Sequence, residues 1–197
     1  MKLPRAFYDQ DTVTVARALL GCILWRRVGR TLLAARLVET EAYLGANDMA
    51  SHARRGLRSP RNESMYLAGG HAYVYFTYGM HWCMNVVTQE ADVAEAVLLR
   101  GAAPVRGIES MRRRRPKAKR DRDLTNGPGK LCAAMSIDEN LDGVPLDGDL
   151  LWLEEGGVPE AEIAVSPRIG VDYSGDSAWW PLRFFVRGSE YVSQRTG

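Results

Sequence analysis

The segments CILWRRV (22–28) and TLLAARLVETEAYL (31–44) alternate branched and polar residues, and only Gly29-Arg30 lies between them. Two residues can turn a chain back on itself, but a parallel crossover needs a dozen or more. The two segments are therefore read as antiparallel strands. HAYVYFTYGMHWCMNVVTQ (71–89) folds on itself at Tyr78-Gly79-Met80, and EAVLLRGAAP (95–104) reads as a further strand. A first helix is expected after the N-cap Asp11-Thr12, with Val13, Ala16, Leu19 and Leu20 on one face and Gly21 as its stop. Helix is also predicted in part of 105–115 and in GKLCAAMSI, behind Asn126-Gly127-Pro128. The tail, from DLLWLEEG through SPRIGV to PLRFFVRGSEYVS, reads as short strands joined by glycine and proline turns. Strands without crossover helices between them predict an α+β fold. The expectation is a single domain over 1–197, a mainly antiparallel curved β-sheet flanked by helices, with one protruding hairpin.

No run approaches the roughly 20 apolar residues of a membrane helix, and the N-terminus lacks a long apolar stretch, so the expected location is cytoplasmic. Cys22, Cys83 and Cys132 are odd in number and widely spaced, which fits a reducing compartment better than a disulfide framework. Three histidines and no C-x-x-C or H-E-x-x-H leave no assembled zinc motif, and no metal is expected. Net charge is only +2, but MRRRRPKAKRDRD (111–123) is densely basic, while the charges of 138–162 are almost all acidic. A basic run of this kind fits a solvated helix face or a mobile loop, and equally a contact with polyanions.

Glu39, Glu41 and Tyr43 in RLVETEAY are two apart, so on a strand they share one face, with Val38, Thr40 and Ala42 on the other. Such a face suits a solvent-exposed edge strand, or else a general base beside a stacking platform. Tyr73 and Tyr75 likewise share a face, leaving Val74 and Phe76 to the core side. Tyr78 falls where the alternation breaks, which puts a large ring at the turn. A turn tyrosine either folds onto its own hairpin or projects, and a projecting ring suits insertion between base steps. LGANDMASHARRGLRSPRNESM (44–65) is a long polar excursion, of a kind usually functional or disordered.

VETEAYLG (38–45), SHARRG (51–56), SPRN (59–62), YVYFTYGMHWCMN (73–85), VLLRG (97–101), GPGKLC (127–132), RIGV (168–171) and PLRFFVRGS (181–189) together resemble the 3-methyladenine DNA glycosylases of the alkyladenine (methylpurine) type. The resemblance spans Leu3 to Ser193. It implies that Glu41 activates the water that attacks C1′ of the damaged nucleotide, with Arg100 near that water. By the same resemblance Tyr43 stacks on the flipped base, Tyr75 forms the opposite wall and His52 contacts base or sugar. Asn85 disfavours guanine through its exocyclic amine, and Tyr78 fills the gap left in the duplex. Tyr73 takes a supporting part and Glu39 a structural one. The implied partner is double-stranded DNA carrying alkylated or deaminated purines, acted on by a monomer without a cofactor, in a bacterial cytoplasm or a eukaryotic nucleus. No lysine is among the residues given a role by this resemblance, so hydrolysis without a lyase step is expected. Ala103 and Ala133 depart from the family's pattern and touch none of these positions, whereas the loop TQEADVAEAVL departs in length and charge, which bears on contacts near the flipped base and so on substrate preference. Two other readings keep part of the pattern: a catalytically silent protein that binds damaged DNA, and a hydrolase of free nucleosides.

Overall fold

The computed structural model describes residues 1–194. Two helices open the chain, α1 (Arg5–Tyr8) and α2 (Thr12–Ala18), and the Asp11 side chain accepts a hydrogen bond from Thr14 N as the expected N-cap of α2. Strands β1 (Ile23–Val28) and β2 (Thr31–Tyr43) follow, then β3 (Ala72–Thr77), β4 (His81–Thr88) and β5 (Glu95–Arg106). The helices α3 (Ile108–Arg114), α4 (Arg122–Thr125) and α5 (Pro128–Met135) precede three short strands, β6 (Leu151–Glu154), β7 (Ile163–Ser166) and β8 (Arg183–Val186). The sheet runs β3-β4-β5-β2-β1-β6, with β8 pairing both β2 and β7, and every named pair is antiparallel. This is the α+β architecture expected from the tight turns, a curled antiparallel sheet with helices packed on it. The tail departs from expectation in one respect: SPRIGV is irregular, and 3-10 helix covers Asp172–Trp179. No helix among the described residues is long and apolar enough to cross a membrane.

The two faces of the sheet do different work, and a pair of irregularities decides which residues go where. Along β2, the odd positions Leu33, Ala35 and Leu37 enter the main core, and then the even position Ala42 does. Pairing of β2 with β5 skips Val38 on one strand and Arg100 on the other, between Leu37↔Ala102 and Thr40↔Leu99. A one-residue slip turns every later side chain to the opposite face. After it, Glu39, Glu41 and Tyr43 turn away from the main core. On β5 the phase changes in the same way: Val97 and Leu99 face the core before the irregularity, Ala102 after it. The core face packs α2 and α5, through Val15, Ala16, Leu131, Cys132, Ala134 and Met135. The opposite face is roofed by the excursion 44–66, which is ordered here as three short 3-10 turns, and a smaller cluster of Ala53, Met65, Tyr73, Val87, Ala94 and Ala96 fastens it down.

Two readings from the alternation are corrected. β2 is not an edge strand: Glu39, Thr40 and Glu41 pair with β5 on one side and β8 on the other, and both glutamates are fully buried. Phe76 does not join the core; it is 43% exposed and lies against Trp82, ring centroids 4.8 Å apart. The reason is length, because β4 meets β5 only from Asn85 onward, so the outer half of the β3-β4 hairpin has no neighbouring strand beneath it. Val74, two residues earlier, is buried as expected.

Candidate active site

Glu39, Glu41, Arg100 and Arg183 form a buried network across three strands. Arg183 Nε donates to Glu39 Oε1 at 2.7 Å, and Ser193 donates to the same carboxylate from its backbone N (2.6 Å) and its hydroxyl (2.8 Å). Arg100 bridges the two acids: its Nε lies 3.4 Å from Glu39 Oε1, and its Nη1 donates to Glu41 Oε2 at 3.3 Å. Burial works against charge on Arg100, yet the two carboxylates outweigh it and raise the guanidinium pKa. Glu39 is thus a structural acceptor, as the resemblance implied.

Glu41 has its own set of donors. Oε2 also accepts from the Tyr43 hydroxyl at 2.9 Å, and Oε1 accepts from Ile169 N at 2.8 Å. The Tyr43 phenol can serve as donor because burial, then the Glu41 charge, push its pKa well up. A carboxylate offers about four lone-pair directions, and three here accept from protein donors, which leaves one with no protein donor on it.

In front of this layer lies a cavity of about 150 Å³, open to solvent. Its lining includes Tyr43, His52, Tyr73, Tyr75, Tyr78, Asn85 and Arg100, but neither Glu41 nor Glu39. Glu41 lies one layer behind, reached through Tyr43, Arg100 and Ile169, all of them lining residues. The His52 ring stands edge-on to Tyr75, centroids 4.5 Å apart, and its Nδ1 is 2.7 Å from the Tyr73 hydroxyl. Burial pushes the His52 pKa down to about 4, with Arg61 and Arg54 adding to the effect, so the imidazole is neutral near pH 7. Asn85 Nδ2 donates to Tyr73 O at 3.1 Å, which fixes the amide at the cavity wall. Tyr78 stands at the hairpin tip at φ 52° and is 81% exposed, followed by Gly79 at φ 65°. Positive φ at both positions lets the strands turn back sharply, and the tyrosine projects beyond the sheet.

Several contributors carried no signal in spacing. Arg168 Nη1 donates to Ala42 O at 2.9 Å, Nη2 to Ser177 O at 3.0 Å, and the guanidinium forks onto both oxygens of Asp48. Its Cζ lies 4.6 Å from the Tyr43 ring centroid, so the ring has a fixed cation on it. Asp48, 120 positions away in sequence, also accepts from Leu44 N and Ala50 N, and so ties the roof to the end of β2. RIGV was prominent as a motif, and its physical content is now visible: Arg168 braces Tyr43 and Ile169 N holds Glu41. The basic run lies elsewhere, around a separate surface hollow with Glu190 and Tyr191. Three of its cations are matched within the chain, Arg112 by Glu109 and Asp121, Arg120 by Asp123 and Arg122 by Glu190. Among the described residues no cluster of three or more histidine, cysteine or acidic side chains is placed to hold a metal ion.

An aromatic-walled cavity backed by a buried carboxylate held by three donors, on a curled antiparallel sheet, defines a class of proteins that the sequence comparisons then specify. The profile of the methylpurine-DNA glycosylase family matches residues 6–190, and the chain belongs to that family. It is similar to the human DNA-3-methyladenine glycosylase, 45% identical over 98% of this chain and 68% of that protein, and to the mouse DNA-3-methyladenine glycosylase, 43% identical over 98% of this chain and 61% of that one. A protein of Methanocella arvoryzae is 46% identical over 98% of this chain and 96% of its own length.

The His52 environment predicts a pH dependence of stability. An unfolded histidine titrates near 6.5, so between that pH and about 4 the unfolded chain binds more protons than the folded one, and stability falls as pH falls. Chemical denaturation at pH 7 and pH 4.5 is expected to show the wild type losing about 2 kcal/mol more than His52→Gln over that interval. Equal losses in the two proteins would contradict the burial assigned to the imidazole.

Proposed function

We propose that this chain removes alkylated purines, 3-methyladenine and related lesions, from double-stranded DNA by flipping the nucleotide into the aromatic cavity and hydrolysing its N-glycosidic bond. The observation that carries the reading is the Glu41 carboxylate, fully buried, holding three donors behind a tyrosine-walled cavity and keeping one acceptor position free. Its family and the names of its relatives point to the same activity.

In this mechanism a flat purine lies against Tyr43 and Tyr75. An N-alkylated purine carries positive charge, which strengthens its hold on electron-rich rings and makes it a good leaving group. The water bound at the free position of Glu41 is directed at C1′, and Glu41 accepts its proton as the glycosidic bond breaks. The negative charge of the carboxylate also favours the oxocarbenium-like sugar. Arg100 and Ile169 N hold the carboxylate in one orientation, so no reorganisation accompanies the step. The base leaves with the bonding electron pair and the sugar keeps the water oxygen, giving an abasic site. No lysine lines the cavity, which favours hydrolysis without a lyase step. With His52 neutral near pH 7, no protonated imidazole stands ready for a neutral base such as hypoxanthine, whereas a cationic lesion leaves without that help. Tyr78 acts as the wedge that fills the space left in the duplex. All these groups come from one chain, so the reaction as proposed needs no second copy, and it takes place wherever the protein's DNA is kept: the cytoplasm of a bacterium or the nucleus of a eukaryote.

Glu41→Gln is expected to lower single-turnover release of 3-methyladenine from methylated duplex by at least ~100-fold while binding to an abasic-analogue duplex stays within a few-fold of wild type. Near-normal release would remove Glu41 from this role. Tyr78→Ala should change folding stability by less than ~0.5 kcal/mol, because the exposed ring gives the core little. The same substitution should weaken lesion-duplex binding about tenfold, the scale of one lost base–aromatic stack. A large drop in stability with unchanged binding would mark Tyr78 as a packing residue instead.

A further inference from the structure

Beside the base cavity lies a second hollow of about 320 Å³. It is lined by His52, Arg54, Leu57, Ser59, Arg61 and Tyr173, of which His52 and Tyr173 also line the base cavity. The charges around the base cavity are otherwise balanced: Arg168 by Asp48, Arg100 by Glu41 and Glu39, Arg183 by Glu39. Arg54 and Arg61 differ, since among the described residues neither has a carboxylate within ion-pair range. Nearby Arg58 is matched twice, by Glu63 at 2.6 Å and Asp92 at 2.7 Å, whereas Arg55, also without a carboxylate partner among the described residues, is exposed and lines neither cavity.

The two arginines are aimed rather than loose. Arg61 Nη2 donates to Phe76 O at 3.0 Å and its Cζ lies 5.8 Å from the Tyr75 ring, while Arg54 Nη1 reaches Ser51 O at 3.5 Å. Each guanidinium carries five N–H donors, so most remain free for a ligand. Their uncompensated charge poses a problem for the proposed substrate. A cationic purine entering between Tyr43 and Tyr75 approaches positive charge that nothing in the protein offsets. An anion in the second hollow removes that repulsion, and planar guanidinium groups beside a hydroxyl suit phosphate oxygens. We propose that Arg54 and Arg61 bind a phosphate of the DNA backbone adjacent to the flipped nucleotide, so that the substrate's own phosphodiester neutralises the mouth of the base cavity. This rests on the glycosylase reading above and adds a reason for that site to take bases joined to a phosphate backbone over free nucleosides.

The test measures binding to a duplex with one abasic analogue across a salt series, together with single-turnover base release from a lesion duplex. Arg54→Gln and Arg61→Gln are each expected to weaken binding about tenfold near 100 mM salt and to reduce the slope of log affinity against log salt by about 1. Arg58→Gln, whose charge is already matched, keeps the wild-type slope. An uncharged methylphosphonate at one of the two phosphates flanking the lesion weakens the wild type by a similar factor and adds nothing to the loss in Arg61→Gln. Wild-type slopes in both arginine variants, or a wild type indifferent to methylphosphonate at both positions, would overturn the proposal. Those results with an active wild type leave the glycosylase reading standing, whereas a wild type that neither binds the lesion duplex nor releases a base removes both.

Discussion

The buried pairing of Glu39 and Glu41 with Arg100 and Arg183 is the constraint on which the rest of the site depends. Removing an ion from water costs several kcal/mol even after relaxation, so each of these groups is tolerated only while its partners stay in place. The partners come from β2, β5, β8 and the segment at Ser193, and the network therefore fixes four parts of the chain relative to one another. Its benefit lies in orientation more than in net stability. Glu41 is held by donors that have no other arrangement available, and a carboxylate held in this way can direct one water.

The matched irregularities at Val38 and Arg100 explain how acids come to lie inside a sheet at all. Had the alternation continued unbroken from Leu33, the positions now occupied by Glu39, Glu41 and Tyr43 would have faced the main core, among leucines and alanines. The slip re-aims them at the opposite face, where Arg100, Arg183, Ser193 and Ile169 N supply the donors of the two glutamates. Arg168 and Asp48 then join roof, strand and Tyr43 into one body.

What was legible in the sequence followed from local physics. Gly29-Arg30 and Tyr78-Gly79-Met80 announced their turns, Asp11 its cap, and the alternation in 73–77 separated Tyr73 and Tyr75 from Val74. The break at Tyr78 placed a large ring at the turn before any relative was considered, and left open whether it folds back or projects. Local pattern could not reveal the phase change on β2, because a bulge is set by the partner strand, and so the burial of the glutamates was left open between two readings. Phe76 was misassigned because alternation says which way a residue points and not whether anything is there to meet it. Arg168 and Asp48 are 120 positions apart, and their pairing has no sequence period. The roles of Glu41, His52, Asn85 and Arg100 came from family resemblance. The geometry supplies a physical setting for each.

The central claim is that this arrangement severs a base from DNA and leaves the strand intact. The most direct measurement incubates an end-labelled duplex carrying one 3-methyladenine analogue or 7-methylguanine with the protein, then divides the sample and treats half with hot alkali. The account predicts a break at the lesion in the alkali-treated half alone, since an abasic site is alkali-labile and no lysine forms a Schiff base. Breaks in the untreated half would contradict the hydrolytic mechanism, and intact strands in both halves would show a protein that binds damage without acting on it.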